Sequence, residues 1–142
     1  MAITRADSLT GTKKQKEFFS DFTKGFKKSP YGGDLGRIVN NDSVNESLRN
    51  LMRTNIGERL FQPLIGSDIN ALLFENNFPE NLDIVETFIR NTISNNEPRV
   101  NLLGVEVGTN IYNENEVQVT IVYNLINNPD PVTLTIILKR VR

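Results

Sequence analysis

The spacing of apolar residues changes abruptly near residue 97, and this change limits the folds that the chain can adopt. Before it, apolar residues recur every three or four positions, as they do on one face of an α-helix. After it, they alternate with polar residues, as they do in a strand with one buried face. Helices followed by strands favour an α+β fold in which helices cover a small antiparallel sheet. The 142 residues are enough for one domain of this kind.

The region before residue 97 contains patterns for two to three helices. The first is expected to run from a capping box at residues 43–46 to a stop at Gly57. A short second helix should end near Glu75, and Pro79 is expected to open the third. The positions expected to face the core are Val44, Leu48, Leu51, Met52 and Ile56 in the first helix and Leu82, Val85, Phe88, Ile89 and Ile93 in the third.

Three strands are expected after residue 97, and the last two should form a C-terminal hairpin. The first strand starts at Val100 and is expected to contain a bulge near Gly104. The hairpin strands begin near Val117 and Val132, on either side of a turn "NNPDP". Several apolar hairpin residues fall on the face away from the core, namely Val122, Ile126 and Ile137. Either a partner chain pairs with this hairpin or further helices cover its second face.

The N-terminal segment is basic and rich in phenylalanine. Residues 13–28 contain six lysines and two acids, which gives this stretch a charge of +4. Phe18, Phe22 and Phe26 are four positions apart, as on one face of a helix that binds a membrane or nucleic acid. Because Gly25 weakens such a helix, an arm that docks on the protein itself or on a neighbour is the preferred interpretation. We expect an arm and loop over residues 1–33 and a single domain over residues 34–142.

The composition narrows the chemistry that is available. The chain has no cysteine and no histidine, which excludes disulfides, thiolate or imidazole zinc sites, and catalytic triads that need either residue. No apolar run approaches the roughly 18 to 20 residues of a membrane span, and the N-terminus lacks the apolar core of a signal peptide. We therefore expect cytoplasmic synthesis and no membrane partner. A net charge of −1 gives no basic face beyond the arm, so no nucleic-acid partner is expected. No cofactor or metal is expected either.

An acid, a proline and a base lie together at the change of period, as Glu97-Pro98-Arg99. Pro98 restricts its own φ angle and disfavours helix at Glu97. The residues alone favour a self-contained turn, in which Glu97 and Arg99 pair with Arg59 and Glu58 in one polar cluster. The other interpretation is a docking point, where the planar Arg99 guanidinium binds a partner carboxylate.

Several short motifs resemble the baseplate wedge proteins of contractile-tailed bacteriophages. These proteins are also called sheath initiators and have a relative in type VI secretion baseplates. The resemblance covers roughly residues 35–140 and excludes the basic arm. The matching motifs, in order, are Leu48-Arg49-Asn50-Leu51, Gly57-Glu58-Arg59, Pro63 with Gly66, Leu72-Leu73-Phe74-Glu75, the Glu97-Pro98-Arg99 triplet and the closing strand pair.

The resemblance implies a structural function in the baseplate of a virion tail. Members of the family bind the core bundle of the wedge, and the Glu-Pro-Arg triplet is associated with that binding. Strands of the tail sheath protein add to the family's sheet, so sheath polymerisation starts there. The residues thereby assigned to the sheath-pairing edge are Val132, Leu134, Ile136, Ile137 and Leu138. The resemblance leaves open whether the arm contacts the tail tube, the sheath or a neighbouring wedge subunit.

An enzymatic alternative also follows from the resemblance, because some members of the family have been described as lysozymes. Glycoside cleavage requires two carboxylates about 5 to 10 Å apart, one of them with a raised pKa. Glu58, Glu75 and Glu97 are the candidates. An arginine lies close in sequence to both Glu58 and Glu97, and a nearby arginine lowers the pKa of a carboxyl group. We therefore predict a non-catalytic assembly protein.

Overall fold

The computed structural model describes residues 16–30, 32–73, 82–110 and 113–139. Three helices and a three-stranded antiparallel sheet confirm the predicted α+β class, and a separate two-stranded sheet lies near the N-terminus. The elements in chain order are β1 (Ser20–Phe22), β2 (Arg37–Val39), α1 (Asn41–Arg53), α2 (Ile69–Leu73), α3 (Leu82–Asn96), β3 (Val100–Asn110), β4 (Asn113–Leu125) and β5 (Asn128–Lys139).

The large sheet has the order β3-β4-β5, so that among the described strands β4 is central and the other two are edges. The predicted bulge is present as a register shift between Leu102 and Gly104. The hairpin turn is shorter than predicted, because Leu125 already pairs with Asn128 and β5 includes Pro129 and Pro131. Proline is tolerated there because an edge strand has one unpaired side.

Among the described residues, the helices cover one face of this sheet. The inward side chains of the sheet are almost fully buried against α1, α2 and α3; they are Val105, Val117, Val119, Ile121, Tyr123, Leu125, Leu134, Ile136 and Leu138. On the opposite face, Leu103 and Ile137 are about half exposed, at 52% and 49%. The sheet therefore has an open face, and the alternative of helices on both faces is wrong for the described residues.

Both predicted ends of the first helix are displaced. Helix α1 begins at Asn41, so Ser43 lies inside it, buried, and its hydroxyl has no hydrogen-bond partner among the described residues. The capping box is therefore wrong. The preceding Asn40 accepts the Phe18 N–H with its side-chain oxygen (2.9 Å) and thus anchors the arm. At the other end, α1 stops at Arg53, which leaves Ile56 outside the helix and 45% exposed.

The described part of the arm does not form the amphipathic helix that was the alternative interpretation. Residues 20–22 form β1 and pair with β2, followed by a turn at Gly25 (φ 80°). Phe19 packs against the core, while Phe22 and Phe26 are 50% and 70% exposed. In the described part of the chain the arm therefore docks on the protein's own body, and the division at residues 33 and 34 stays a prediction. None of the described helices is both long enough and apolar enough to cross a membrane.

Candidate functional site

The Glu97-Pro98-Arg99 triplet forms a closed ion pair between α3 and β3. The Arg99 Nε donates to Glu97 Oε1 at 2.6 Å, and its Nη2 donates to Glu97 Oε2 at 2.8 Å. The Ser47 hydroxyl, on α1, donates to the same Oε2 at 2.7 Å. The two-residue spacing between Glu97 and Arg99 permits this bidentate contact because α3 ends at Asn96 and the chain turns at Pro98. Both carboxylate oxygens are satisfied from within the molecule.

Burial separates the functions that the two charged residues can have. Glu97 is only 4% exposed, so its carboxylate is not accessible to a partner. The Arg99 side chain is 32% exposed, and its guanidinium carbon lies 5.4 Å from the centre of the Phe19 ring. Arg99 is therefore the member of the pair that offers a surface, while Glu97 fixes its orientation.

The electrostatics agree with this division. Burial by itself raises the pKa of Glu97, but the hydrogen bonds from Arg99 and Ser47 outweigh it, and the pKa lies below the usual 4.5. The hydrogen bond to Glu97 raises the pKa of Arg99. Beneath the pair, burial raises the pKa of Tyr123 to about 12, and its hydroxyl donates to Asn45 at 2.8 Å. The site is a buried anion under a partly exposed cation.

The lowered pKa of Glu97 predicts a loss of stability in acid. The folded state favours the ionised carboxylate, so this contribution is complete above pH 4.5 and is lost as the pH falls through the lower folded-state pKa. Glu97→Gln should remove this part of the acid dependence. The free energy of unfolding by urea, measured from neutral pH down to about pH 3, tests this expectation. Parallel curves for the two proteins would contradict it.

Glu58 and Arg59 do not join the ion pair among the described residues. Both are exposed, and Glu58 Oε2 accepts the Asn55 N–H at 2.9 Å. The predicted polar cluster fails because the chain after α1 closes on itself: the Ser67 N–H donates to the Thr54 carbonyl at 2.8 Å. Within the described ranges, no three acidic side chains converge where they could hold a metal ion.

One hydrogen bond establishes which backbone groups of β5 are unpaired. Ile126 directly follows β4 and Arg99 directly precedes β3, in continuation of the Val100–Leu125 register. The Ile126 N–H donates to the Arg99 carbonyl at 3.2 Å, so the even-numbered residues of β4 direct their backbone groups to β3. Because this direction alternates along a strand, the odd-numbered residues direct theirs to β5. Their partners on β5 are Val132, Leu134, Ile136 and Leu138. The N–H and C=O groups of Thr133, Thr135 and Ile137 therefore point to the side of β5 that no described strand occupies.

The predicted sheath-pairing edge thus divides into two sets. Of its five residues, Ile137 alone combines an outward side chain with unpaired backbone groups. The other four bond to β4 and point toward the core; they are Val132, Leu134, Ile136 and Leu138. Thr133 and Thr135, which were not among the predicted edge residues, share the unpaired edge with Ile137. Inward and outward residues alternate along β5. Once the register is known, this alternation therefore places the two threonines on the unpaired edge.

Solved structures share this arrangement of helices over a small sheet. A candidate tail lysozyme from Geobacter sulfurreducens superposes with a TM-score of 0.65, is 23% identical, and is matched over 71% of this chain and 91% of that one. A chain of the anti-feeding prophage baseplate superposes with a TM-score of 0.58 and is 20% identical over 87% of each chain. At these identities the likeness defines the fold.

Sequence similarity defines the family. The family model described as "Baseplate wedge protein gp25" matches residues 39–130. The baseplate wedge protein gp25 of Enterobacteria phage T4 is 34% identical over 105 residues, which make up 74% of this chain and 79% of that protein. The chain belongs to the gp25 family of baseplate wedge proteins. This confirms the resemblance drawn from the sequence motifs.

Proposed function

We propose that this chain is a structural wedge component of a tail baseplate, that it binds the wedge core bundle around Arg99, and that it initiates the sheath through β5. Membership of the gp25 family supports a structural function in the baseplate and protein partners there. The likeness to a chain in the baseplate of the anti-feeding prophage is consistent with that location. The proposal for sheath initiation depends on the edge of β5, and the proposal for wedge binding depends on the exposed part of Arg99.

The open edge of β5 is the observation that carries the sheath-initiation proposal. Over residues 132–139 its register against β4 is regular, so its unpaired groups form an even row. The other edge, β3, is interrupted by the bulge between Leu102 and Gly104. A bulge protects an edge against pairing, whereas a regular row can accept another strand. Strand addition is therefore assigned to β5.

The wedge-binding proposal depends on the exposed part of Arg99. Its guanidinium keeps a fixed orientation because Glu97 holds it from below at 2.6 and 2.8 Å. A planar guanidinium that is held in this way can use its remaining donors on carboxylates or carbonyls of a partner. Fixing the side chain in advance also reduces the entropy lost on binding. Glu97 thus supports docking without touching the partner.

A non-catalytic function agrees better with the carboxylates than glycoside cleavage does. A general acid needs a raised pKa and access to the substrate. Glu97 has a lowered pKa and is buried. Glu58 lies in an exposed loop and accepts a hydrogen bond from its own segment, and Glu75 lies outside the described residues. Glu97 is therefore not an accessible acid held in a neutral form.

The test is co-assembly of the full chain with the wedge subunits and sheath protein of the same particle. Size-exclusion chromatography should give a stable wedge complex, and electron microscopy should show sheath rings growing from it. Absence of binding to the wedge subunits would overturn the wedge proposal, while a wedge complex that never seeds sheath would overturn the sheath proposal. Digestion of purified cell wall by the chain, abolished by Glu58→Gln or Glu97→Gln, would establish the enzymatic alternative.

A further inference from the structure

The buried residue Asn40 is bonded to the backbone of the N-terminal arm at four points. Its side-chain oxygen accepts the N–H groups of Phe18 and Phe19 at 2.9 and 3.4 Å, and its side-chain nitrogen donates to the Lys16 carbonyl at 3.0 Å. The backbone N–H of Asn40 donates to the Phe19 carbonyl at 2.8 Å. We call these four bonds the Asn40 clamp, because together they fix the backbone of residues 16–19.

Asn40 occupies the N-cap position of α1 but does not cap that helix. Asparagine is favoured at this position because its side chain normally accepts an N–H of the first helical turn, yet no such bond forms among the described residues. The Asn40 backbone also has a φ of 50° and a ψ of −116°, a combination that L-residues rarely adopt. Strain of this kind persists only where the surroundings fix the residue. The Asn40 side chain therefore stabilises the arm and not its own helix.

The Asn40 clamp brings two arm residues close to Arg99. The Arg99 guanidinium carbon lies over the Phe19 ring, 5.4 Å from its centre, which is within the range of a cation–π contact. Asp21 is the second residue: the hydrogen bond to Glu97 is the main cause of the raised pKa of Arg99, and the negative charge of Asp21 adds to it. The arm therefore borders the ion pair of Glu97 and Arg99.

The Phe19 ring restrains a motion of Arg99 that Glu97 leaves free. The two bonds to Glu97, at 2.6 and 2.8 Å, hold the guanidinium at two points, but a planar group held in this way can still tilt about the line through those points. The ring lies against one face of the guanidinium and blocks tilting to that side. Phe19 itself is partly buried against the core, which keeps the ring in place.

We propose that the arm completes the wedge-docking site: the Asn40 clamp holds Phe19 against Arg99, and the wedge binds Arg99 with full affinity only while Phe19 is held there. Phe19 and Asn40 are positioning residues, which act through Arg99 without touching the partner. A side chain that is fixed before binding loses less entropy on binding. This inference rests on the proposed function, because it assumes that Arg99 binds the wedge core bundle.

Two substitutions test the inference in the full chain. Asn40→Gly removes the side-chain bonds of the clamp, and glycine adopts a φ of 50° without strain. Phe19→Leu removes the ring but keeps an apolar side chain against the core. Each variant should bind the wedge subunits of the same particle about 2- to 12-fold more weakly, as measured by isothermal titration calorimetry. The double variant should lose less than the product of the two factors, because both changes act through the position of one ring.

The Arg99 Nε–H provides a readout that distinguishes positioning from a general loss of stability. This proton is bonded to Glu97, and tilting of the guanidinium weakens that bond. Its exchange with solvent, followed by NMR in the free chain, should therefore quicken by a similar factor in both variants. Exchange of the Arg90 Nε–H should stay unchanged, because Arg90 pairs with Glu86 within α3. Unchanged exchange at Arg99 in the Phe19→Leu chain would overturn the inference.

Phe18→Leu is the matched control, since it makes the same substitution in the neighbouring phenylalanine. The Phe18 ring lies 5.2 Å from the Lys16 ammonium instead of against Arg99, so this variant should bind the wedge as the parent chain does. Equal losses for Phe18→Leu and Phe19→Leu would indicate direct contact between arm and wedge and would overturn the positioning function.

The outcomes for the parent chain separate this inference from the proposed function. A parent chain that does not bind the wedge subunits rejects wedge docking and the inference with it. A parent chain that binds, loses binding in the double variant Glu97→Ala with Arg99→Ala, and keeps full affinity in Phe19→Leu and Asn40→Gly rejects the inference alone. Loss of affinity together with faster exchange at Arg99 in both arm variants is the result that we expect.

Discussion

Ile137→Pro should prevent sheath strands from adding to β5 while the chain remains folded. The backbone N–H of Ile137 points to the unpaired edge, so its removal leaves the ladder between β4 and β5 intact. An incoming strand would lose one donor and leave its own carbonyl unpaired, at a cost of about 1 to 3 kcal/mol. This corresponds to a roughly 5- to 150-fold loss in strand addition. Sheath nucleation, counted by electron microscopy on preassembled wedges, is the measurement.

Two further proline variants make this result specific. In Thr109→Pro the proline lies near the end of β3, where the N–H faces that strand's own free edge, so nucleation should be unaffected. In Ile136→Pro the substitution removes a bond to β4 and a buried side chain, so the chain should be strongly destabilised. Normal nucleation by folded Ile137→Pro would rule out β5 as the pairing edge. A Thr109→Pro defect as large as that of Ile137→Pro would point to β3 instead.

The sequence predicted the fold where one physical signal dominated. The long alternating runs in β4 and β5 predict both the strands and their buried faces, because the hydrophobic period of two has one interpretation over that length. The bulge near Gly104 was also predictable, since an extra residue is needed to keep Val105 inward. The two ends of α1 were not predictable from the sequence, because Asn40 and Thr54 make tertiary contacts that local sequence patterns do not contain.

The site was less predictable than the fold. The opposite charges of two separate motifs suggested a cluster of Glu58, Arg59, Glu97 and Arg99, but Ser47 on α1 supplies the third contact to Glu97. A serine inside a helix gives no signal of such a contact. For the arm, the spacing of the phenylalanines suited a helix as well as a docked segment; in the structure residues 20–22 pair with β2 on the protein's own body.

The single variants of the Glu97–Arg99 pair should have unequal effects on stability. Arg99→Ala leaves a carboxylate that is 4% exposed with Ser47 as its one remaining side-chain donor, and we expect a loss of about 3 to 5 kcal/mol. Glu97→Ala leaves a guanidinium that is 32% exposed and able to turn to solvent, so the expected loss is smaller, about 1 to 3 kcal/mol. The double variant should lose less than the sum of the two. Urea unfolding at neutral pH provides all three values.

The pH dependence distinguishes this explanation from a general loss of packing. Without Arg99, burial becomes the dominant influence on Glu97, so the pKa of its carboxyl group should rise above 4.5. The folded state then favours the protonated acid, and its stability is greatest below pH 4.5 and falls as the pH rises through the new folded-state pKa. The Arg99→Ala deficit should therefore shrink in acid. A deficit that is independent of pH would contradict the buried-anion explanation.

Measuring how variants of the Glu97–Arg99 pair bind the wedge distinguishes a docking function of the pair from a purely internal, stabilising one. The double variant Glu97→Ala with Arg99→Ala has neither a stranded charge nor an exposed guanidinium, so it should remain folded and fail to join the wedge. Arg99→Lys keeps the positive charge but loses the planar pair of donors, so it should bind more weakly than the parent and more strongly than the double variant. A folded double variant that assembles normally would leave the pair with an internal function only, because the exposed third of Arg99 would then have no partner to lose.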